Sequence, residues 1–244
     1  MSENRLAIIT GAARRIGRAS ALALAEAGFD VLATVRSEDD DSASLREEID
    51  RLGRRCVTLP ADLQRVESVE MIASAALERF GRVDALVNNA SLYEPDDTPE
   101  GPSIEQTRRL MRINYVVPHQ LTMRLAASLR STCGCVLNLL DVMVERPVPR
   151  YSGYCASKAA LWNATLTLAR RLAPQVRVNG VAPGMIGNVK PSVDDDATAY
   201  LRRVPLARAG SFEEAASLVR FLVVDATYLT GQVVRVDGGR TVGG

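Results

Sequence analysis

The chain has little of what metal, disulfide or membrane chemistry requires. Among its 244 residues there is one histidine, His119, and there are four cysteines, Cys56, Cys133, Cys135 and Cys155. No C-x-x-C pair occurs and one histidine sets no ligand spacing, so no metal site is expected. The thiols are expected to be reduced and mostly buried. His119 follows Pro118 in a helical stretch and reads as structural. No apolar run approaches the roughly eighteen residues that suggest a membrane span. The formal net charge of +1 is too balanced to draw a nucleic acid or a membrane surface by its field alone. No basic leader with an apolar core precedes the first strand-like run, which points to a cytoplasmic protein. No internal repeat or linker divides the chain, so a single domain over 1–244 is expected.

What is present is alternation. Apolar runs at 6–10, 30–35, 56–61, 83–89, 135–140, 176–182 and 232–238 read as strands. Helical patterns at 15–27, 42–52, 66–80, 104–129, 154–172 and 213–223 separate most of them. Continuous apolar strands argue for a parallel sheet covered on both faces. Right-handed crossovers then give an α/β fold, a doubly wound seven-stranded Rossmann sheet. Gly28, Gly53 and Gly81 follow helical patterns closely, as helix-ending glycines do. Two long loop-like stretches, 91–103 and 183–199, follow strand carboxyl ends and are the expected substrate walls. The acidic run at 194–196 reads as a solvated helix start.

The first strand runs into "TGAARRIG" (10–17). Gly11 permits a tight turn, and Gly17 lets the following helix approach the sheet. Backbone N–H groups at the helix start then favour a pyrophosphate, with Gly11, Arg14, Arg15 and Ile16 as candidate contacts. The second strand ends in Arg36 and Ser37. A guanidinium pairs with a 2′-phosphate and a serine hydroxyl adds a hydrogen bond, where a carboxylate would repel it. With Arg14 on the same side, these residues argue for NADPH. The acids of "EDDD" (38–41) keep NAD open, because one of them could reach a ribose. Arg15 reads as a cation beside the pyrophosphate, or more plainly as a surface residue capping the loop.

"YCASK" sets Tyr154 and Lys158 four apart on one helix face. A nearby ammonium stabilises phenolate and lowers the tyrosine pKa from about 10 towards the working pH. Tyr154 could then exchange a proton with a substrate, while Lys158 also reaches a nicotinamide ribose.

Further motifs join these: "ADL" (61–63), "LVNNAS" (86–91), Asn114 in "INYVVP", "VNGVAPG" (178–184) and "TGQVVRVDGG" (230–239). With them the chain resembles the short-chain dehydrogenase/reductase family over nearly all its length. The resemblance implies that Asp62 and Leu63 flank the adenine and that Asn89, Ala90 and Ser91 line the cofactor. It implies a relay water held by Asn114 behind Lys158. Pro183 and Gly184 would border the nicotinamide, with Ile186 close by. It also implies a homotetramer built through the helices at 104–129 and 154–172.

Two residues depart from the family pattern. Arg15 stands where most members have Gly or Ala. Asp141 stands where a catalytic serine is usual. A serine donates to a substrate carbonyl, whereas an ionised aspartate only accepts and would repel a developing oxyanion. Either Asp141 is protonated or the substrate presents N–H donors to it. Both departures occur in the pteridine reductases and the bacterial dihydromonapterin/dihydrofolate reductases. The chain resembles that subgroup in Arg15, Arg36-Ser37, Ser91 followed by Tyr93, and Asp141. The resemblance implies NADPH-dependent reduction of a pterin or folate, with Tyr93 stacked on the ring. Arg15, Ser91, Asp141, Tyr154 and Met185 would contact the same substrate. Leu92-Tyr93 and Ile186 differ from the subgroup's protozoan members. Two other functions stay open: a 3-oxoacyl or ketone reductase with protonated Asp141 as donor, and a non-catalytic NADPH-sensing protein on the same fold.

Overall fold

The computed structural model describes residues 4–187 and 195–243. Seven strands are described: β1 (Arg5–Ile9), β2 (Phe29–Val35), β3 (Cys56–Pro60), β4 (Ala85–Asn88), β5 (Cys135–Leu139), β6 (Arg177–Pro183) and β7 (Val233–Val236). They form one parallel sheet in the order β3-β2-β1-β4-β5-β6-β7. The chain reverses its direction of travel across the sheet between β1 and β4, so a crevice opens at their carboxyl ends. The result is a single-domain α/β Rossmann-like fold, as the alternation predicts.

The sheet is apolar on both faces because each strand supplies both layers. Leu6 and Ile8 of β1 pack with Ile72 of α3 (Ser68–Phe80), Leu121 of α5 (Val117–Arg124) and Leu168 of α7 (Ser152–Leu172). Ala7 and Ile9 point the other way, towards Leu24 of α1 (Arg15–Glu26), Ile49 of α2 (Asp40–Arg51) and Leu222 of α9 (Phe212–Val224). Alternation on a strand with cover on both sides is why these runs read as unbroken apolar segments.

Helix ends follow local chemistry. Asp39 caps α2 by accepting from Ser42 N at 3.0 Å, while Ser42 Oγ accepts from Asp39 N at 3.0 Å. Ser211 and Glu214 do the same for α9. Gly28, Gly53 and Gly81 all have positive φ, as helix-closing glycines require.

The single helix expected over 104–129 is not continuous. It divides into α4 (Ile104–Met111), a π-helical turn (Arg112–Val116), α5, and α6 (Ala126–Ser131). Pro118 opens α5, and without an N–H it cannot bond the carbonyl of Asn114 four residues back. Within the stretch at 183–199, a helix starts in the acidic run, as its composition suggests: Asp195–Leu201 forms α8. The rest of that wall, 188–194, lies outside the described residues, as does the first acid of the run at 194–196.

Candidate active site

The loop after β1 is cross-braced to the end of β4. Thr10 Oγ1 accepts from Asn89 N and from Ala90 N, each at 3.0 Å. Asn89 Nδ2 donates to Thr10 O at 2.8 Å and to Gly11 O at 3.0 Å. Gly11 N donates to Thr34 Oγ1 at 3.2 Å. The loop is tight enough that a Cβ on Gly17 would lie 2.3 Å from Gly11 O and 2.5 Å from Asn89 Nδ2. Gly11 has φ +66° and Arg15 φ 53°. The backbone at Arg15 is therefore left-handed, the conformation that favours the glycine usual there. Arg15 itself is exposed, and Ile16 packs partly against the core under α1.

Beside this loop lies a cleft of about 390 Å³, whose lining includes Gly11, Arg36, Asp62, Leu63, Ala90 and Ser91. It gathers residues expected to hold the adenosine end of a dinucleotide. Glu94 and Arg109 close its other side as an ion pair at 3.3 Å. Arg36 is exposed at the cleft, and Ser37 next to it is exposed too. Arg14 requires a correction. It does not stand free beside Arg36 but pairs with Asp39 at 3.0 Å and with Asp41. The start of α2 brings both carboxylates to it, so two of the acids that had kept NAD open are engaged with Arg14.

The catalytic candidates meet at the carboxyl end of β5. Asp141 accepts from Met143 N at 2.8 Å and from Tyr154 Oη at 2.7 Å. Tyr154 and Lys158 lie one turn apart on α7, both buried. Lys158 Nζ donates to Leu139 O at 2.7 Å. Burial pushes the Asp141 carboxyl above the usual carboxylate range, against the hydrogen bonds and the ammonium that favour its ionised form. Burial lowers Lys158 to about 8.

Tyr154 differs from expectation. Its pKa is raised, first by burial and then by the Asp141 charge, and not lowered by Lys158. The ammonium faces the Leu139 carbonyl and lies 5.9 Å from the centre of the phenol ring, while the carboxyl of Asp141 sits directly on the hydroxyl.

Asn114 is fully buried in the π-helical turn. Its Oδ1 accepts from Leu92 N at 2.8 Å and from Ser91 Oγ at 3.1 Å. Its Nδ2 donates to Leu92 O and to Ser157 Oγ, both at 2.9 Å. The side chain thus braces the Ser91–Leu92 segment against α7. Tyr93, 54% exposed, stacks on Tyr151 with ring centres 4.7 Å apart and meets Tyr154 edge-on at 4.8 Å.

Pro183 ends β6, and Gly184 N donates to Val236 O at 2.9 Å. Met185 O accepts from Gly210 N at 3.0 Å, and Ile186 pairs with Gly210. Gly184 sits under α8, where an added Cβ would lie 3.0 Å from Tyr200 Oη.

The structure therefore brings Asp141, Tyr154, Lys158 and Tyr93 together, with Ser91 and Asn114 behind them. Sequence reasoning missed Thr10, Thr34, Ser157 and Tyr151. Thr10 carried a visible signal, since it opens the glycine motif. Thr34 and Ser157 are single hydroxyls whose partners lie 23 and 43 residues away, so nothing local marks them. The four cysteines are free, and among the described residues no helix is long and apolar enough to cross a membrane.

Comparison with known proteins places this geometry. A family model described as enoyl-(acyl carrier protein) reductase matches residues 11–241. The 3-oxoacyl-[acyl-carrier-protein] reductase of Synechocystis is 33% identical over 239 residues, covering 96% of each chain. The crystal structure of acetoin dehydrogenase from Enterobacter cloacae superposes with a TM-score of 0.89 at 31% identity, covering 100% of this chain and 98% of that one. A blue fluorescent protein from a metagenomic library, solved in complex with NADPH, gives a TM-score of 0.90 at 30% identity and covers 97% of both chains. On its glycine loop, its Tyr154–Lys158 pair and these matches over nearly its whole length, the chain belongs to the short-chain dehydrogenase/reductase family of oxidoreductases.

Proposed function

We propose that this protein is an NADPH-dependent carbonyl reductase in which a carboxyl group takes the part usually given to serine. The observation that carries the reading is the 2.7 Å hydrogen bond between Tyr154 Oη and Asp141 Oδ2 at the carboxyl end of β5. The Tyr154 hydroxyl donates to the carboxyl there, so the two groups act on a substrate oxygen as a pair. Burial shifts both groups towards their neutral forms, so the Tyr154 hydroxyl keeps a proton for a substrate oxygen and Asp141, once protonated, adds a second donor.

The cofactor fits on the chain's own geometry. The space beside Gly17 that a Cβ would fill keeps the start of α1 close to the loop backbone, as a pyrophosphate cradle requires. Arg36 at the cleft supplies a cation for a 2′-phosphate, which favours NADPH over NADH. Held in this cleft by the glycine loop and Arg36, NADPH would supply the hydride for the carbonyl carbon. Tyr154 gives its hydroxyl proton to the carbonyl oxygen, and Asp141 hydrogen-bonds the same oxygen as it becomes an alcohol. Lys158 offsets the negative charge left on the Tyr154–Asp141 pair. The names of similar proteins favour a carbonyl substrate: a 3-oxoacyl reductase and an acetoin dehydrogenase.

A second reading, reduction of a pterin or dihydrofolate, has support in one feature. Asp141 accepts two hydrogen bonds in this structure and could accept from the N–H groups of a heterocycle when ionised. On this reading Tyr93 leaves Tyr151 to stack on the ring, Arg15 and Ser91 hold its edge, and Met185 floors it. The comparisons favour the carbonyl substrate over this one.

A purified-protein assay separates them. NADPH and NADH are each mixed with a 3-oxoacyl thioester, acetoin's diketone, dihydromonapterin and dihydrofolate, and reduced-nicotinamide absorbance is followed. Oxidation of NADPH by the first two alone is the expected result. Turnover with the pterins alone would transfer the proposal to the second reading. Binding of NADPH without any turnover would favour a sensor. A homotetramer through α4–α6 and α7 is part of the proposal, with Ile104 and Leu166 as exposed apolar residues on those helices. A cytoplasmic location is part of it as well.

A further inference from the structure

Among the described residues, one partly buried cation has two nitrogens without a hydrogen-bond partner. Arg240 Nε and Nη1 are both shut off from solvent and make no hydrogen bond. A buried donor without an acceptor is costly, more so on a charged group, and such exceptions call for a ligand or water. The nearest carboxylate in sequence is already engaged. Asp237 accepts from Gly239 N at 2.9 Å, Thr241 N at 2.8 Å and Thr241 Oγ1 at 2.7 Å. Glu145, the acid of the neighbouring turn, is taken by Arg235. Among the described residues Arg240 thus lacks a counter-ion, and its one aromatic contact is the ring of Tyr200, 5.3 Å from the guanidinium carbon.

Position gives this cation a use. Asp141 follows β5, Gly184 follows β6 and Arg240 follows β7, all at the carboxyl edge of adjacent strands. Neighbouring strands lie about 4.8 Å apart, so Arg240 is roughly 10 Å along the edge from the reacting pair. Tyr200 bridges the interval. It stands over Gly184, and the charges of Asp141, Arg240 and Asp237 all reach it.

We propose that Arg240, with Tyr200 against its face, is a recognition site for an oxyanion carried on the far end of the substrate. The ligand class is a carboxylate or a phosphate monoester or diester, joined to the reducible carbonyl by a chain that spans β6. The inference rests on the carbonyl-reductase reading for the position of the reacting carbon, and on the unpartnered guanidinium for the anion.

The test is a binding measurement on NADP⁺-loaded protein, so that it does not depend on turnover. The probes are 7-oxooctanoate, its methyl ester and the matching oxoalkyl phosphate. Wild-type protein is expected to bind at least one anionic probe about tenfold or more tighter than the ester. Which anion binds tighter identifies the source, an oxo acid or a phosphorylated carrier arm. In Arg240→Gln that advantage disappears and ester binding is unchanged, while Arg240→Lys retains part of it. Removal of an unpartnered charge also leaves the melting temperature level or higher. Equal binding of acid, phosphate and ester by the wild type would overturn the proposal. So would a fall in melting temperature or a changed oligomeric state in Arg240→Gln, since Arg240 would then be structural. If the anions bind through Arg240 and no carbonyl is reduced, the reaction reading fails and the site stands.

Discussion

Between β1 and β4 the loop polar groups face one another. Thr10, Gly11, Asn89 and Ala90 exchange four hydrogen bonds, and Thr34 and Asn114 tie in the flanking segments. Beyond β6 the pattern reverses. Among the described residues Arg240 Nε and Nη1 have no acceptor, and the wall after Gly184 continues beyond those residues. In the first region the loop groups satisfy one another, as a cradle for a constant cofactor should. The second keeps two guanidinium nitrogens unspent, as a surface for a particular substrate should. Asp141, Tyr154 and Lys158 lie on the boundary between the two.

The largest expected effect is at that boundary. Tyr154→Phe removes the proton donor and should lower kcat by about a thousandfold, with NADPH affinity unchanged in a fluorescence titration. Full turnover in this variant would assign the proton to another group. Gly17→Ala strikes the completed region. Its methyl would enter space held by Gly11 O and Asn89 Nδ2, and it should destabilise the protein by about 3 kcal/mol in urea denaturation. An unaffected midpoint would mean the loop is looser than its hydrogen bonds imply.

Lys158 gives a pH signature. Its pKa falls from 10.5 in the unfolded chain to about 8 in the folded one, because burial disfavours the ammonium. The unfolded chain therefore binds more protons between these values, and this group's contribution to stability rises as pH increases from about 8 towards 10. The gain, on the order of 2–3 kcal/mol across the window, should vanish in Lys158→Met. A gradient of the same size in that variant would place its origin elsewhere.

The smallest effect is at the oddest residue of the glycine loop. Arg15→Gly relieves a left-handed backbone strain and should leave stability equal or raise it by up to about 1 kcal/mol. The same change should weaken NADPH binding if the cation meets the pyrophosphate. Unchanged NADPH affinity would reduce Arg15 to a surface residue.

The fold was legible because a two-faced parallel sheet writes itself as repeated apolar runs. The Tyr154–Lys158 spacing and the Asp141 substitution were legible for a similar reason, since each lies in a short motif. The break at Pro118 was written in the chain as well, although helical periodicity runs through it and conceals the π-helical turn. The pairing of Arg14 with Asp39 and Asp41 could not be read from spacing, because it depends on how closely α2 approaches the loop. The direction of the Tyr154 shift was misread for a related reason. Helical spacing places Lys158 near the ring but does not say that Nζ turns to the Leu139 carbonyl. Arg240 carried no signal, since only the structure reveals that two of its nitrogens lack an acceptor among the described residues.

The central claim is that the Asp141 carboxyl is an acid in the reaction, paired with Tyr154. The most direct test is the pH dependence of kcat/KM for carbonyl reduction in the wild type and in Asp141→Ser. The wild type should lose activity as pH rises through the elevated pKa of Asp141, and the serine variant should lack that limb while still turning over. Superimposable profiles would contradict the account.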